Sequence, residues 1–221
     1  MYMTDRARNY YTRDLEKVQG ISTDLFQKVG EVGPAAREKR LETVRAAVKP
    51  SQHGEISAVI PDWSREAPTR WWDPGRQLLR CIRNYQHWGS RRGWLYIVPR
   101  KYQVLKHRFW SVVSGADIPL NAHVDGGLQL LHPNGIVIHP EARIGPNCIF
   151  FQQVTIGTRE NSPRVPWIGG DVSIGAGAKV LGGIRVGDHA RIGANAVVLC
   201  DVPDGAVAVG IPARILQPRE S

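Results

Sequence analysis

Between residues 118 and 203 an apolar position returns every sixth residue. From Ile138 the series runs through Ile144, Phe150 and Ile156, breaks, and resumes in phase at Ile168, Ile174, Val180, Val186, Ile192 and Val198. A small or β-branched residue follows most members by four places, as at Ala142, Cys148, Val154, Val172, Ala178 and Ala196, and glycine often follows directly, as at Gly145, Gly169 and Gly187. An amphipathic helix needs returns at three and four and a half-exposed strand at two, so a strict period of six fits neither. The pattern predicts a parallel β-helix. Each hexapeptide forms one short flat side, its ladder residue points into a narrow core, and glycine relieves the corner. Three sides make one triangular coil, and about four or five coils stack because a single coil cannot bury its own apolar face.

The repeat departs from regularity twice. Upstream, Ile118, Val124, Leu130 and Ile136 are six apart, yet the downstream phase is set by Ile138, which predicts a two-residue insertion near Leu131–Gly135. Twelve residues separate Ile156 from Ile168, so 158–167 (TRENSPRVPW) is expected to leave the coil as an extended loop and return in phase. Insertions sit at corners, where side chains can be aimed outward, and two of them on one rod are expected to mark one site. His132 lies in the first, and imidazole is the side chain suited to accept a proton near neutral pH. His139, next to a ladder residue, reads as structural, and His123 and His189 receive no role.

Residues 1–112 read as a helical N-terminal region with an irregular linker at about 49–72. Candidate helices are Thr12–Val29, Pro34–Val48, a stretch opened by the cap Asp73 and Pro74 that carries Leu78, Leu79, Ile82 and Tyr85, and another from Pro99 carrying Tyr102, Leu105, Phe109 and Trp110. The solenoid is expected over 113–205 and a C-terminal tail over 206–221. The fold class is therefore mainly β, a parallel β-helix of hexapeptide repeats with an α-helical N-terminal domain.

Composition adds limits. The 221 residues carry a formal net charge of +9, which suits anionic partners without selecting one. Arg76, Arg80, Arg83, Arg91, Arg92, Arg100, Lys101, Lys106 and Arg108 crowd one stretch beside Trp88 and Trp94. No helix-turn-helix, RNP-type or zinc pattern accompanies them, so nucleic acid is not expected, while peripheral contact with a membrane is compatible with them. No run of eighteen apolar residues and no apolar leader occurs, and a cytoplasmic location is expected. The cysteines number three, with no CxxC pair, and no His/Asp/Glu cluster has ligand spacing, so neither a disulfide framework nor a metal is expected. Cys148 falls on an inward position and reads as core.

The segments ADIPLNAHV, LHPNGIVIHPEARIGPN, QQVTIG, IGAGAKVLGGIRVGDHARIGANAVVLCDVP and GIPARIL resemble the serine acetyltransferase branch of the left-handed β-helix acyltransferases, over roughly residues 70–218. The resemblance implies a homotrimer, leaves a dimer of trimers open, and places acetyl-CoA in the groove between neighbouring solenoids. It puts His132 on the catalytic histidine and Asp117 on an acceptor-binding aspartate. Ala176 and Ala194 fall where the backbone meets the pantetheine arm, and Arg191 falls on a basic position near the cofactor.

Two departures separate this chain from that branch. Leu131 stands where the family has an aspartate that orients the imidazole, so another acceptor, a backbone carbonyl or Glu141, has to hold the ring. In the extended loop the family's Asp-Arg-His-Pro-Lys becomes Pro163-Arg164-Val165-Pro166-Trp167, which keeps an arginine able to grip a carboxylate. These changes favour a saccharide hydroxyl as acceptor, with L-serine as the alternative and a catalytically silent scaffold as the non-enzymatic one. The expected chemistry is general-base transfer of an acetyl group by His132, with a backbone N–H at Gly157 or Gly175 facing the oxyanion. Arg185, Arg191 and Arg214 are expected to meet the phosphates of CoA.

Overall fold

The structure, a computed structural model, describes residues 56–89, 91, 97–160 and 162–216. The chain divides into two compact units, Met1–His53 and Gly54–Ser221, and all that follows concerns the second. The helices expected at Thr12–Val29 and Pro34–Val48 lie outside the described residues.

The hexapeptide period folds as the physics of a narrow core requires. Strands of two or three residues stack in parallel on three faces. Face 1 holds Val137–Ile138, Thr155–Gly157, Lys179–Leu181 and Val197–Val198. Face 2 holds His123–Val124, Arg143–Ile144, Trp167–Ile168 and Arg185–Val186. Face 3 holds Gln129–Leu130, Ile149–Phe150, Ser173–Ile174, Arg191–Ile192 and Val207–Val209. In each rung one residue points out and the ladder residue points in, so Ile138, Ile156, Val180 and Val198 stack directly on one another. Phe150, Ile144, Ile168 and Ile174 fill the other two walls. Full burial of each such side chain contributes about 1.5–3 kcal/mol.

Register locates the insertions. A regular coil advances eighteen residues, as from Val137 to Thr155 or from Lys179 to Val197. The step is twenty from Asp117 to Val137, from His123 to Arg143 and from Gln129 to Ile149, so the two extra residues lie between Leu130 and Val137. It is twenty-four from Thr155 to Lys179, which places a six-residue excess in the extended loop. Ile136 is therefore not a ladder residue. It is fully buried two places before Ile138, at the inner corner position that Ala142 and Cys148 occupy in the next repeats.

Two helices pack against this rod, α1 (Pro74–Gly89) and α2 (Ile97–Ser114). Asp73 caps α1 through its side chain and the Arg76 N–H at 3.5 Å. Leu78, Leu79, Cys81 and Ile82 form the buried face of α1. Gly75 lies so close to the first rung of face 3 that a Cβ there would stand 3.3 Å from the Leu130 carbonyl oxygen. His107 fixes α2 to the solenoid through its Nε2, 2.8 Å from the Ile118 carbonyl oxygen.

The irregular linker expected at 49–72 is, over 57–66, a packed strap along the edge between faces 2 and 3. Asn147 accepts the Asp62 N–H at 2.8 Å and donates to the carbonyls of Ser57 (2.7 Å) and Ile60 (2.8 Å). A short 3-10 helix (Trp63–Glu66) follows, and Glu66 binds Arg83 and the Leu128 N–H. Asn147→Ala removes three hydrogen bonds from a buried residue and is expected to destabilise the fold by about 1–3 kcal/mol. Limited proteolysis should then cut the strap before the solenoid.

The expected C-terminal tail also belongs to the fold. Val207–Val209 continues face 3, and after a reversal Arg214–Leu216 pairs antiparallel with it. The closing strand covers the last rung of a sheet that would otherwise present unpaired backbone groups.

Candidate active site

The corner residues, like the rungs, form columns. Along the edge leading from face 3 into face 1, the Gly135 N–H donates to Gly115 O (2.8 Å), Gln153 to Asn134 O (2.9 Å), Gly177 to Gln152 O (2.8 Å) and Asn195 to Ala176 O (2.8 Å). A regular corner takes four residues, as in Gly145–Cys148, whereas this one takes six, 131–136. Leu131 keeps the regular first position, its N–H donating to Phe150 O (2.8 Å), and Asn134 and Gly135 keep the second and third, so the surplus pair is His132 and Pro133. Because the residues on either side are held by backbone pairing, the surplus has to bulge outward, and His132 is exposed on the bulge. Its φ of 54° lies in the left-handed region, which Asn147, Gln153, Asp171, His189 and Asn195 share at regular corners.

Asp117 begins the face 1 rung beneath the one that this corner leads into, opposite Val137. Its N–H donates to Ile136 O (2.8 Å) and its carbonyl accepts from Ile138 (3.0 Å), so the coil before the insertion is clamped to the coil after it and the carboxylate points outward. Ala176 and Ala194 continue this edge in the later coils, one above the other. Arg191 stands on the outer side of face 3 next to it. His132, Asp117, Ala176, Ala194 and Arg191 thus line a single edge of the rod.

Gly157 and Arg164 do not join them. Gly157 ends a rung of face 1 at the opposite edge, and the extended loop projects from there. Gly182 and Gly183 in the next coil form the loop's seat: a Cβ on Gly183 would lie 2.4 Å from the Arg164 Cβ. Val165, half-buried, packs against the core, so the residue standing for the family's histidine anchors the loop. Gly157 itself has nothing within 4 Å of where a Cβ would be. Its own chain therefore imposes no glycine there, and the open space faces outward.

Three expectations are corrected. Glu141 sits at the edge between faces 1 and 2, where its N–H bonds His139 Nδ1 (3.2 Å), and does not reach His132. Among the described residues no carbonyl of the chain holds the His132 ring either. Arg185 lies on face 2, stacked over Trp167 at 4.3 Å, whereas Arg191 and Arg214 lie on face 3, so within one copy Arg185 does not share a phosphate with them. The reason is common to all three: neighbours in sequence are sent to different faces of a triangular rod.

The sequence reading missed Gln152. Its Oε1 is buried without a hydrogen-bond partner among the described residues, on the edge between His132 and Ala176. Burying an acceptor unpaired costs about 1–3 kcal/mol. A concavity of about 910 Å³ lies elsewhere, over face 2 between Tyr85, Arg100, His123, Arg143 and Trp167, and holds none of the predicted site residues. Cys148 is core: burial pushes its thiol up to about 12. Among the described residues no cluster of His, Cys, Asp or Glu could hold a metal ion, and no helix is long and apolar enough to cross a membrane.

Stacked hexapeptide coils with an exposed histidine on an inserted corner define the class, a left-handed parallel β-helix of the hexapeptide-repeat type. Residues 166–200 match the family described as bacterial transferase hexapeptide (six repeats). The serine acetyltransferase of Helicobacter pylori is 40% identical over 145 residues, 65% of this chain and 81% of that protein. That of Synechococcus elongatus is 39% identical over 145 residues, 65% of this chain and 57% of its own length. A solved serine acetyltransferase in complex with CoA is 33% identical with a TM-score of 0.55, covering 66% of this chain and 57% of that one. The Vibrio cholerae enzyme is 33% identical with a TM-score of 0.56, covering 68% and 57%. The chain belongs to the serine acetyltransferase family. It spans little more than half the length of several of these relatives.

Proposed function

We propose that this protein is an acetyl-CoA-dependent O-acetyltransferase that transfers acetyl to the hydroxyl of a small acceptor, L-serine in the first place. The observation that carries this is the imidazole presented on the inserted corner, with Asp117 beside it, in a chain whose relatives are named serine acetyltransferases at 36–44% identity. A soybean relative 34% identical to this chain is described as complexed with serine. These relatives reverse the order of acceptors expected from Leu131 and Val165 alone.

The two half-sites suggest how the centre is assembled. His132, Asp117, Ala176 and Ala194 line one edge, Gly157 and Arg164 the other, so one groove can contain both only if a second copy supplies its opposite edge. A homotrimer does this three times. In that groove His132 takes the proton from the acceptor hydroxyl as its oxygen attacks the thioester carbon. The carbon–sulfur bond then breaks, and the proton passes to the departing thiolate. A backbone N–H near Gly157 faces the oxyanion, whereas the Gly175 N–H, expected as the other donor, is already bonded to the Ile192 carbonyl at 2.8 Å. Asp117 pairs with the acceptor's ammonium and Arg164 of the neighbouring copy with its carboxylate. Ala176 and Ala194 admit the pantetheine arm, and Arg191 meets the phosphates.

A saccharide acceptor is the second reading, favoured by one observation. Val165 packs inward, so the loop offers an amino-acid acceptor only Arg164. CoA release from acetyl-CoA, measured with L-serine against a panel of sugars, separates the readings: turnover on serine supports the first, turnover confined to sugars the second. A thermal shift with CoA tests the enzyme class itself, since a ligand bound only by the folded state must raise Tm. No shift and no turnover would leave a scaffold.

Gly157→Val is expected to leave Tm within about 1–2 °C of the parent, because nothing in the chain meets the new side chain. The KM for acetyl-CoA should rise at least about tenfold, a loss of about 1.4 kcal/mol in binding. An unchanged KM would remove Gly157 from the cofactor groove.

A further inference from the structure

One face of α2 has no use in the fold just described. Val98, Tyr102, Leu105, Phe109 and Val112 recur at spacings of four, three, four and three, a continuous stripe along the helix. Each is more than half exposed, from 53% at Phe109 to 83% at Val112. The opposite side of the helix, with Gln103, Trp110 and Ser114, is the buried one. At its C-terminal end the stripe surrounds a concavity lined by Leu105, Lys106, Phe109 and Val112. Trp71 and Trp72 are also exposed, but they connect to Phe109 only through the buried Trp110, with neighbouring ring centroids 5.2, 5.6 and 5.1 Å apart, and so lie toward the packed side of the helix and not on the stripe.

Charge selects the occupant. Lys101 and Arg108 flank the stripe on one side and Lys106 on the other, its ammonium 5.7 Å from the Tyr102 ring centroid. Neither α1 nor α2 contains an acidic residue, and between Glu66 and Asp117 ten Lys and Arg stand against Asp73 alone. A second copy of this face would set cation against cation. A nucleic acid would satisfy the cations but would leave the aliphatic side chains of Val98, Leu105 and Val112 with nothing to bury against. An anionic bilayer surface meets both demands, because apolar side chains enter the acyl boundary, aromatic rings settle at headgroup level and cations face lipid phosphates. We propose that the exposed face of α2 docks the protein onto anionic membrane. The helix lies along the surface and does not cross it.

The test is sedimentation of the full chain with phosphatidylglycerol–phosphatidylcholine vesicles and with pure phosphatidylcholine vesicles. Binding is expected to the first and to be weak on the second, and to fall as salt shortens the Debye length. Lys101→Ala and Arg108→Ala should each lower partitioning about fivefold. The paired change Leu105→Ser and Phe109→Ser should lower it at least about tenfold with the far-UV spectrum and Tm retained, since both side chains are already exposed. Several results would overturn the proposal: no binding to anionic vesicles, binding that the substituted chains keep in full, retention of RNA without vesicle binding, or a mass by light scattering that drops in the Leu105/Phe109 pair while vesicle binding persists. The last would assign the face to another copy of the chain.

Discussion

Replacing His132 with alanine is expected to lower the turnover of acetyl-CoA with acceptor by about 10²–10⁴-fold, the range that a positioned general base supplies. CoA affinity should stay within about twofold, because no cofactor contact is assigned to the imidazole and positioning in the groove is preserved. The residue sits on a surplus pair of residues outside the regular corner and is exposed, so its loss should cost little stability. Its left-handed φ of 54° is the one complication. His132→Asn controls for it, since asparagine tolerates that region better than alanine does. Both variants should lose turnover alike if proton transfer is the role. Near-normal turnover in either, with folding confirmed by an unchanged Tm, would sink the assignment.

The ring's setting adds a second readout. No group of its own chain orients it among the described residues. An aspartate at position 131 would stand where the family has its orienting carboxylate, so Leu131→Asp should raise turnover in the same assay. A fall would mean that the groove of this chain is built around an apolar neighbour.

Glu66→Ala is expected to have the largest effect on stability, about 3–5 kcal/mol, through loss of a buried pair. Glu66 holds Arg83 through two bonds, at 3.0 and 2.7 Å, and accepts the Leu128 N–H at 3.1 Å. Arg83 in turn donates to the carbonyls of Val124 and Asp125, with Trp63 5.2 Å away across its ring face. One carboxylate therefore joins the strap, α1 and the first coil. Removing it leaves a largely buried guanidinium and a buried N–H unpaired. The double change Glu66→Leu with Arg83→Met should recover part of the loss, because an apolar pair carries no uncompensated charge. Urea unfolding measures both: the midpoint falls with an unchanged m-value if the native state alone is affected.

The helices were legible for local reasons. Asp73 and Pro74 open α1 where a cap and an N1 proline belong, and the predicted residues Leu78, Leu79 and Ile82 are its buried face. The start of α2 differed by two residues, Ile97 in place of Pro99, because proline is tolerated anywhere in the first turn. The strap was illegible. Nothing in its Ser, Pro and Trp content says that Asn147, eighty-five residues from Asp62, will hold it. The closing strand at 214–216 was missed because its partner runs antiparallel and its pattern has no sixfold phase.

The sequence by itself determined the rod, its three faces and the place of the surplus residues. A repeat makes tertiary neighbours out of sequence neighbours at a constant offset, so Ile138, Ile156, Val180 and Val198 have to stack wherever the period holds. Where the period fails, that offset is lost and only three-dimensional packing decides. Tertiary structure sent His132 and Arg164 to opposite edges, seated the loop on Gly182 and Gly183, and left one face of α2 uncovered. Those outcomes depend on contacts between distant segments, which spacing along the chain does not encode.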